Sequence, residues 1–160
     1  QHSHVSSELA EQFKLDIEKV RAGLDKRTTL MIRNIPNKYT QRMLLGVIEN
    51  RHAGKFDLFY LPIDFKNRCN VGYAFINFLD VEFVPAFYDE FQAMKWDKFN
   101  SDKVCEMSYA RIQGKISLLG HFANSSLIHE DETMQPVLFD KNGLREQWVV
   151  VARAVLAPQR

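Results

Sequence analysis

Tyr73 and Phe75 stand two positions apart in the run Gly72-Tyr73-Ala74-Phe75-Ile76-Asn77-Phe78. A strand alternates its side chains, so Ala74, Ile76 and Phe78 go to one face and Tyr73, Phe75 and Asn77 to the other. Two aromatics presented flat from one strand are platforms for unstacked bases, each worth roughly 1–3 kcal/mol. The competing reading is a strand buried on both faces, with the two rings in a core. Against it, the first face already supplies three apolar residues for packing. An extra helix laid over the platform would combine the two readings.

A second run, Leu30-Met31-Ile32-Arg33-Asn34-Ile35, alternates in the same way. Leu30 and Ile32 face the core, and Met31 and Arg33 face outward beside the aromatics. A methionine thioether can cover a base edge or ring. Lys66, Asn67, Arg68 and Asn70 lie just before the aromatic strand, Lys38 follows the second run, and Arg111 and Gln113 lie beyond the last strand. Lys and Arg hold phosphates, while Asn and Gln read base edges. Taken singly, each fits a solvated surface; their gathering around one sheet face is what points to a ligand. The expected site is therefore Met31, Arg33, Lys38, Lys66, Arg68, Asn70, Tyr73, Phe75, Asn77, Arg111 and Gln113.

The elements that position these residues are legible in the patterning. Leu9, Phe13, Ile17, Val20 and Leu24 recur at helical spacing, with Ser6 or Ser7 as a cap and a break expected at Leu15-Asp16. Thr28–Arg33 reads as a strand ended by Asn34-Ile35-Pro36-Asn37. Thr40 caps a helix carrying Met43, Leu44, Val47 and Ile48, closed near Gly54. Phe56–Leu61 and Gly72–Phe78 read as strands around a loop from Pro62 to Asn70. Asp80 caps a helix through Val84, Phe87, Tyr88 and Phe91, and Val104–Ala110 is the last strand.

The order is β-α-β-β-α-β, an α+β sandwich of two helices on a four-stranded antiparallel sheet. Residues 1–25 form a helical extension and 26–112 the central domain. A further helix, with Ile116, Leu119, Phe122 and Ala123 as its apolar stripe, occupies 113–126 and is read as packing beside the domain; the sharper alternative is a lid over the sheet. In the tail, 127–160, the acidic Glu130-Asp131-Glu132 precedes an extended Pro136–Phe139, and Leu144, Trp148, Val151 and Val155 suggest a terminal helix packed on the domain.

The motifs then become specific. Gly72 to Phe78 matches positions two to eight of the RNA-recognition octamer, with Val71 where a Lys or Arg is usual. The segments Arg27–Thr40, Asn70–Phe78 and Tyr109–Lys115 resemble the carboxy-terminal RNA-recognition motif of the Mei-two-like family, which carries the same Met and the same Val. The resemblance runs from about Leu15 to Phe139. It implies single-stranded RNA binding, nuclear or nucleocytoplasmic residence, and a role in meiosis or differentiation.

Composition narrows the alternatives. The chain has 160 residues, 46% hydrophobic and 26% charged, ordinary values for a folded domain. No apolar run approaches the ~20 residues of a membrane-spanning helix. Residues 26–126 hold 14 Lys and Arg against 10 Asp and Glu, and the flanks 7 against 10, for a net +1. A basic middle suits a polyanionic partner without demanding one. Cys69 and Cys105 lack ligand-spaced companions, so no metal or cofactor is expected. No phosphate loop, HExxH or nucleophile elbow occurs, so no enzyme is expected, and Asp57 and Asp64 read as turn and surface groups. The rival functions are a protein-binding variant of the same fold and a homodimer through the terminal helices, with Trp148 and its valines as the apolar patch. The chain opens on Gln1, as a fragment of a longer protein would.

Overall fold

The computed structural model describes residues 2–158, with side chains from Glu8 onward. Helices α1 (His2–Phe13) and α2 (Ile17–Arg21) come first, and the break between them has a local cause. Asp16 caps α2 by accepting from the Glu18 amide at 3.1 Å, and Leu15 turns into the core. Ser6 and Ser7 lie within α1 rather than at its start; their side chains fall outside the described residues.

Strand β1 (Thr29–Arg33) is followed by α3 (Gln41–His52), whose first turn is capped by Thr40 accepting from the Met43 amide. Next come β2 (Phe56–Tyr60), the small hairpin β3 (Ile63–Asp64) and β4 (Cys69–Asn70), then β5 (Tyr73–Phe78). The segment expected to be a loop is thus a hairpin, turned by Asp64 and Asn67 side chains accepting from the Lys66 and Cys69 amides. A 3-10 turn capped by Asp80 leads into α4 (Val84–Phe91), and β6 (Glu106–Tyr109) follows. Beyond it lie α5 (Lys115–Phe122), α6 (Ser125–Ile128), β7 (Val137–Phe139), β8 (Arg145–Glu146) and α7 (Trp148–Leu156).

The main sheet is antiparallel in the order β6-β1-β5-β2-β7-β8. Its central four strands are those read from the sequence, and the tail adds two more on the β2 side. On one face α3 and α4 cover Leu30, Ile32, Ala74, Ile76 and Phe78, each at most 2% exposed. Burial of this kind stabilises by about 1.5–3 kcal/mol per large apolar side chain.

The opposite face carries a second core. Leu58, Tyr60 and Leu138 project from β2 and β7 and are sealed by Leu118, Leu119, Leu127, Ile128, Trp148 and Ala152. The expectation that the helix after residue 113 packs beside the domain is therefore corrected: α5 lies across the β2 half of the sheet. The cause is the apolar strip that β2 and β7 present, which must be covered. Leu118 and Leu119 supply the buried side of α5, while Ile116, placed on the apolar stripe by spacing, is 85% exposed.

Two amide side chains fasten these additions. The Gln113 Oε1 accepts from the Thr28 and Thr29 amides, and its Nε2 donates to the Thr29 and Ala110 carbonyls. Gly114, at φ 91°, then turns the chain back over the sheet. The Gln41 Nε2 donates to the Thr133 and Gln135 carbonyls while its Oε1 accepts from the Leu61 amide, tying the tail to α3 and the end of β2.

Candidate nucleic-acid interface

Cross-strand pairing sets the residues of the outward face in rows. Met31 of β1 stands opposite Phe75 of β5 on one side and Ser108 of β6 on the other, and Phe75 stands opposite Tyr60 of β2. One step along, Arg33 stands between Tyr73 and Glu106. Residues directly opposite in a sheet share a face, so Tyr73, Phe75, Met31 and Arg33 form one surface. The Tyr73 and Phe75 rings meet edge to face at 5.7 Å and 89°. The Arg33 guanidinium leans on the Met31 sulfur at 3.9 Å.

Half of this surface is occupied. Phe122, the last residue of α5, packs against Phe75 at 5.0 Å and against Tyr60 at 4.9 Å between ring centroids. It covers the place where a base on Phe75 would extend toward β2. Burial pushes the Tyr60 phenol up to about 12, the neighbouring Tyr73 adding to the shift, so its hydroxyl stays neutral. The β1–β6 half remains open. There Met31, Ser108, Arg33 and Arg111 line a groove of about 760 Å³ whose far wall is the end of α1, with Leu9, Phe13 and Lys14. An isolated bridge between Lys14 and Ser108 holds that wall to the edge of β6.

The sequence-predicted residues divide accordingly. Met31, Arg33 and Arg111 line the open groove, Tyr73 stands at its margin opposite Arg33, and Phe75 lies at the border with the half that Phe122 covers. Lys38 and Arg68 line a separate cleft between the β1–α3 loop and the β3–β4 hairpin. Lys66 is exposed in the hairpin turn and lines neither. The three amides leave the surface, and base-edge reading by them is corrected. Asn70 is buried, donating to the Pro36 and Tyr39 carbonyls and accepting from the Gly72 amide. Asn77 is 5% exposed; its Oδ1 accepts from both Thr28 and Thr29 hydroxyls and its Nδ2 donates to Asp57. Gln113 is the fastening already described. Sequence reasoning in turn missed Lys14 and Ser108, which only the docking of α1 beside β6 reveals.

Asp57 is not the surface group the sequence suggests. It lies half-buried on β2, and desolvation raises its carboxyl above the ordinary value despite the Asn77 hydrogen bond and the nearby Lys115 charge, which lower it. The folded protein thus holds this proton more tightly than the unfolded chain does. Stability contributed by the protonated form is lost as pH rises from the ordinary carboxylate range through the raised folded value, and the loss persists at neutral pH. Asp57→Asn keeps an oxygen for Asn77 and removes the charge. A higher melting temperature at pH 7, shrinking to no difference below about pH 3, is the expected result of thermal melts over a pH series. An equal gain at both ends would show that charge is not the cause.

A family model described as RNA recognition motif 2 matches residues 27–123. Protein MEI2-like 2 of Oryza sativa subsp. japonica is 58% identical over 132 residues, covering 82% of this chain and 16% of that protein. Protein MEI2-like 3 of Arabidopsis thaliana is 59% identical over 129 residues, covering 81% and 17%. The chain spans about a sixth of the length of these relatives. Among solved structures, an Rna15 RRM with bound RNA (GU) aligns with a TM-score of 0.46 and 20% identity, over 58% of this chain and 95% of that one. The Mei-two-like resemblance of the three motifs is borne out by these relatives, and with more than half of its length matched, the chain belongs to the RNA recognition motif 2 family.

Proposed function

We propose that the chain binds single-stranded RNA on the open half of its sheet and performs no chemistry on it. Tyr73 stacks a base, Met31 pads the next position, and Arg33 and Arg111 neutralise phosphates along the groove toward β6. The observation that carries this reading is the half-exposed Tyr73–Met31–Arg33 surface, which an alternating strand would not present unless it met a ligand. Membership of the RNA recognition motif 2 family supports it. The relatives named MEI2-like support a further part of the proposal, a role in meiosis or differentiation; nuclear residence with shuttling rests on the motif resemblance alone. Imaging of the tagged full-length protein tests that part.

Fluorescence anisotropy with short single-stranded RNA and its DNA counterpart, over a salt series, tests the binding itself. Each phosphate contact to a single strand contributes about 0.7 to the log–log salt slope. Arg33→Ala combined with Arg111→Ala should lower the slope by about 1.4 and weaken binding at low salt. An unchanged slope would place the phosphates elsewhere.

A further inference from the structure

We propose that the bound RNA continues past Tyr73 into the cleft lined by Lys38, Arg42 and Arg68, where a nucleotide is held outside the sheet. The proposal rests on the sheet reading above and extends its site. The cleft has a volume of about 440 Å³, within the range of small-ligand sites. Its walls come from three separate stretches of chain: the start of α3, the β3–β4 hairpin with Ile63, and the tail with Thr133 and Met134. Each of the first two contributes cations, and among the described residues no carboxylate lines it. An apolar side chain within and guanidinium and ammonium groups around are the complement of a base with its phosphate.

Three further observations favour a strand that reaches the cleft from the sheet. Arg33 pairs across the sheet with Tyr73, and Lys38 follows it by five residues, at most ~18 Å of extended chain. Asn70 holds the loop bearing Lys38 to the segment entering Tyr73, through 2.9 Å bonds to the Pro36 and Tyr39 carbonyls. Sheet and cleft are therefore one rigid surface. Arg68 adopts a left-handed conformation, φ 63°, at a turn position where glycine or asparagine is less strained. That conformation sets its guanidinium at the cleft, where its ion pair with Glu130, at 3.3 Å, is half-exposed and easily exchanged for a phosphate. Gln41 grips the Thr133 and Gln135 carbonyls and so fixes the tail wall of the cleft against α3.

Length-dependent binding tests this. Wild type, Tyr73→Ala and Arg42→Glu are titrated against RNAs of about 4 and about 10 nucleotides, the shorter enough for one small sheet site. Arg42 is exposed in the first turn of α3, where a carboxylate suits the helix dipole, so the variant should fold; a thermal melt confirms it. Arg42→Glu should weaken the long RNA about tenfold or more and lower its salt slope by about 0.7, leaving the short RNA within twofold. Tyr73→Ala should weaken both. If Arg42→Glu weakens neither length, or both equally, the cleft proposal is overturned while the Tyr73 result still upholds the sheet. If Tyr73→Ala changes neither, the sheet reading falls and the continued strand falls with it. A free nucleoside monophosphate that reduces the long RNA to the affinity of the Arg42→Glu variant at similar concentration would mark a small-molecule site and overturn the strand.

Discussion

Replacing Tyr73 with alanine should cost single-stranded RNA binding about 5- to 150-fold, the equivalent of one lost base–aromatic stack, while barely moving the melting temperature. The ring meets the Phe75 ring edge to face, stands opposite Arg33 across the sheet, and belongs to neither apolar core. Phe75→Ala should behave differently. Phe75 packs against the second core through Phe122, so its loss should lower both affinity and stability, the latter by about 1–3 kcal/mol. Anisotropy paired with thermal melts separates the two. A Tyr73→Ala protein that melts as early as Phe75→Ala yet binds RNA normally would make the tyrosine a packing residue and remove the base platform from the proposal.

The second large effect concerns the cover. Phe122→Ala removes a ring that contacts both Phe75 and Tyr60 at about stacking distance. Because Phe122 is only partly buried, the stability cost should be about 1–3 kcal/mol, below the 3–5 of a fully enclosed phenylalanine. A domain of ordinary stability, about 5–15 kcal/mol, survives that loss. RNA binding should rise, by about fivefold or more, because the face of Phe75 toward β2 becomes available to a second base without first displacing a side chain. Titration of the variant with the same short RNA checks the sign. A fall in affinity with the domain still folded would make α5 part of the binding surface instead of its cover.

The helix bearing Phe122 was legible in the sequence, but its seat on the sheet was not, and the reason lies in how apolar patterns work. The alternation in β5 correctly assigns Ala74, Ile76 and Phe78 to the interior and Phe75 to the outward face, because period two is a property of five or six consecutive residues. What covers Phe75 comes from residue 122, and no local period says which surface an amphipathic helix will choose. The helical spacing even selects Ile116 where the structure buries Leu118, since the strip on β2 and β7 determines the rotation of α5. Asn70, Asn77 and Gln113 illustrate a different ambiguity. An amide beside an exposed strand is equally suited to a base edge and to orphan backbone groups, and their actual partners, the Pro36, Tyr39, Thr29 and Ala110 carbonyls among them, are fixed only by folding. The charged residues fare better. Arg33, Lys38, Arg68 and Arg111 are exposed as their types demand, though the structure distributes them over two recesses instead of one ring.

The two strands that the tail adds have a meaning for solubility. Without β7, the β2 segment Phe56-Asp57-Leu58-Phe59-Tyr60 would be an outer strand, apolar at four of five positions, with its hydrogen-bonding groups bare on one side. Such a strand is a template for pairing with another molecule. With β7 in place, the sheet instead ends in β8, two residues long and both charged, and its opposite margin at β6 is partly met by Lys14. A protein cut back to residues 27–123, the span of the family match, would keep Met31, Arg33, Tyr73, Phe75 and Arg111 but lose this protection, along with the α1 wall of the groove and the tail wall of the cleft. The tail therefore guards the domain against its own association, whatever it contributes to the ligand.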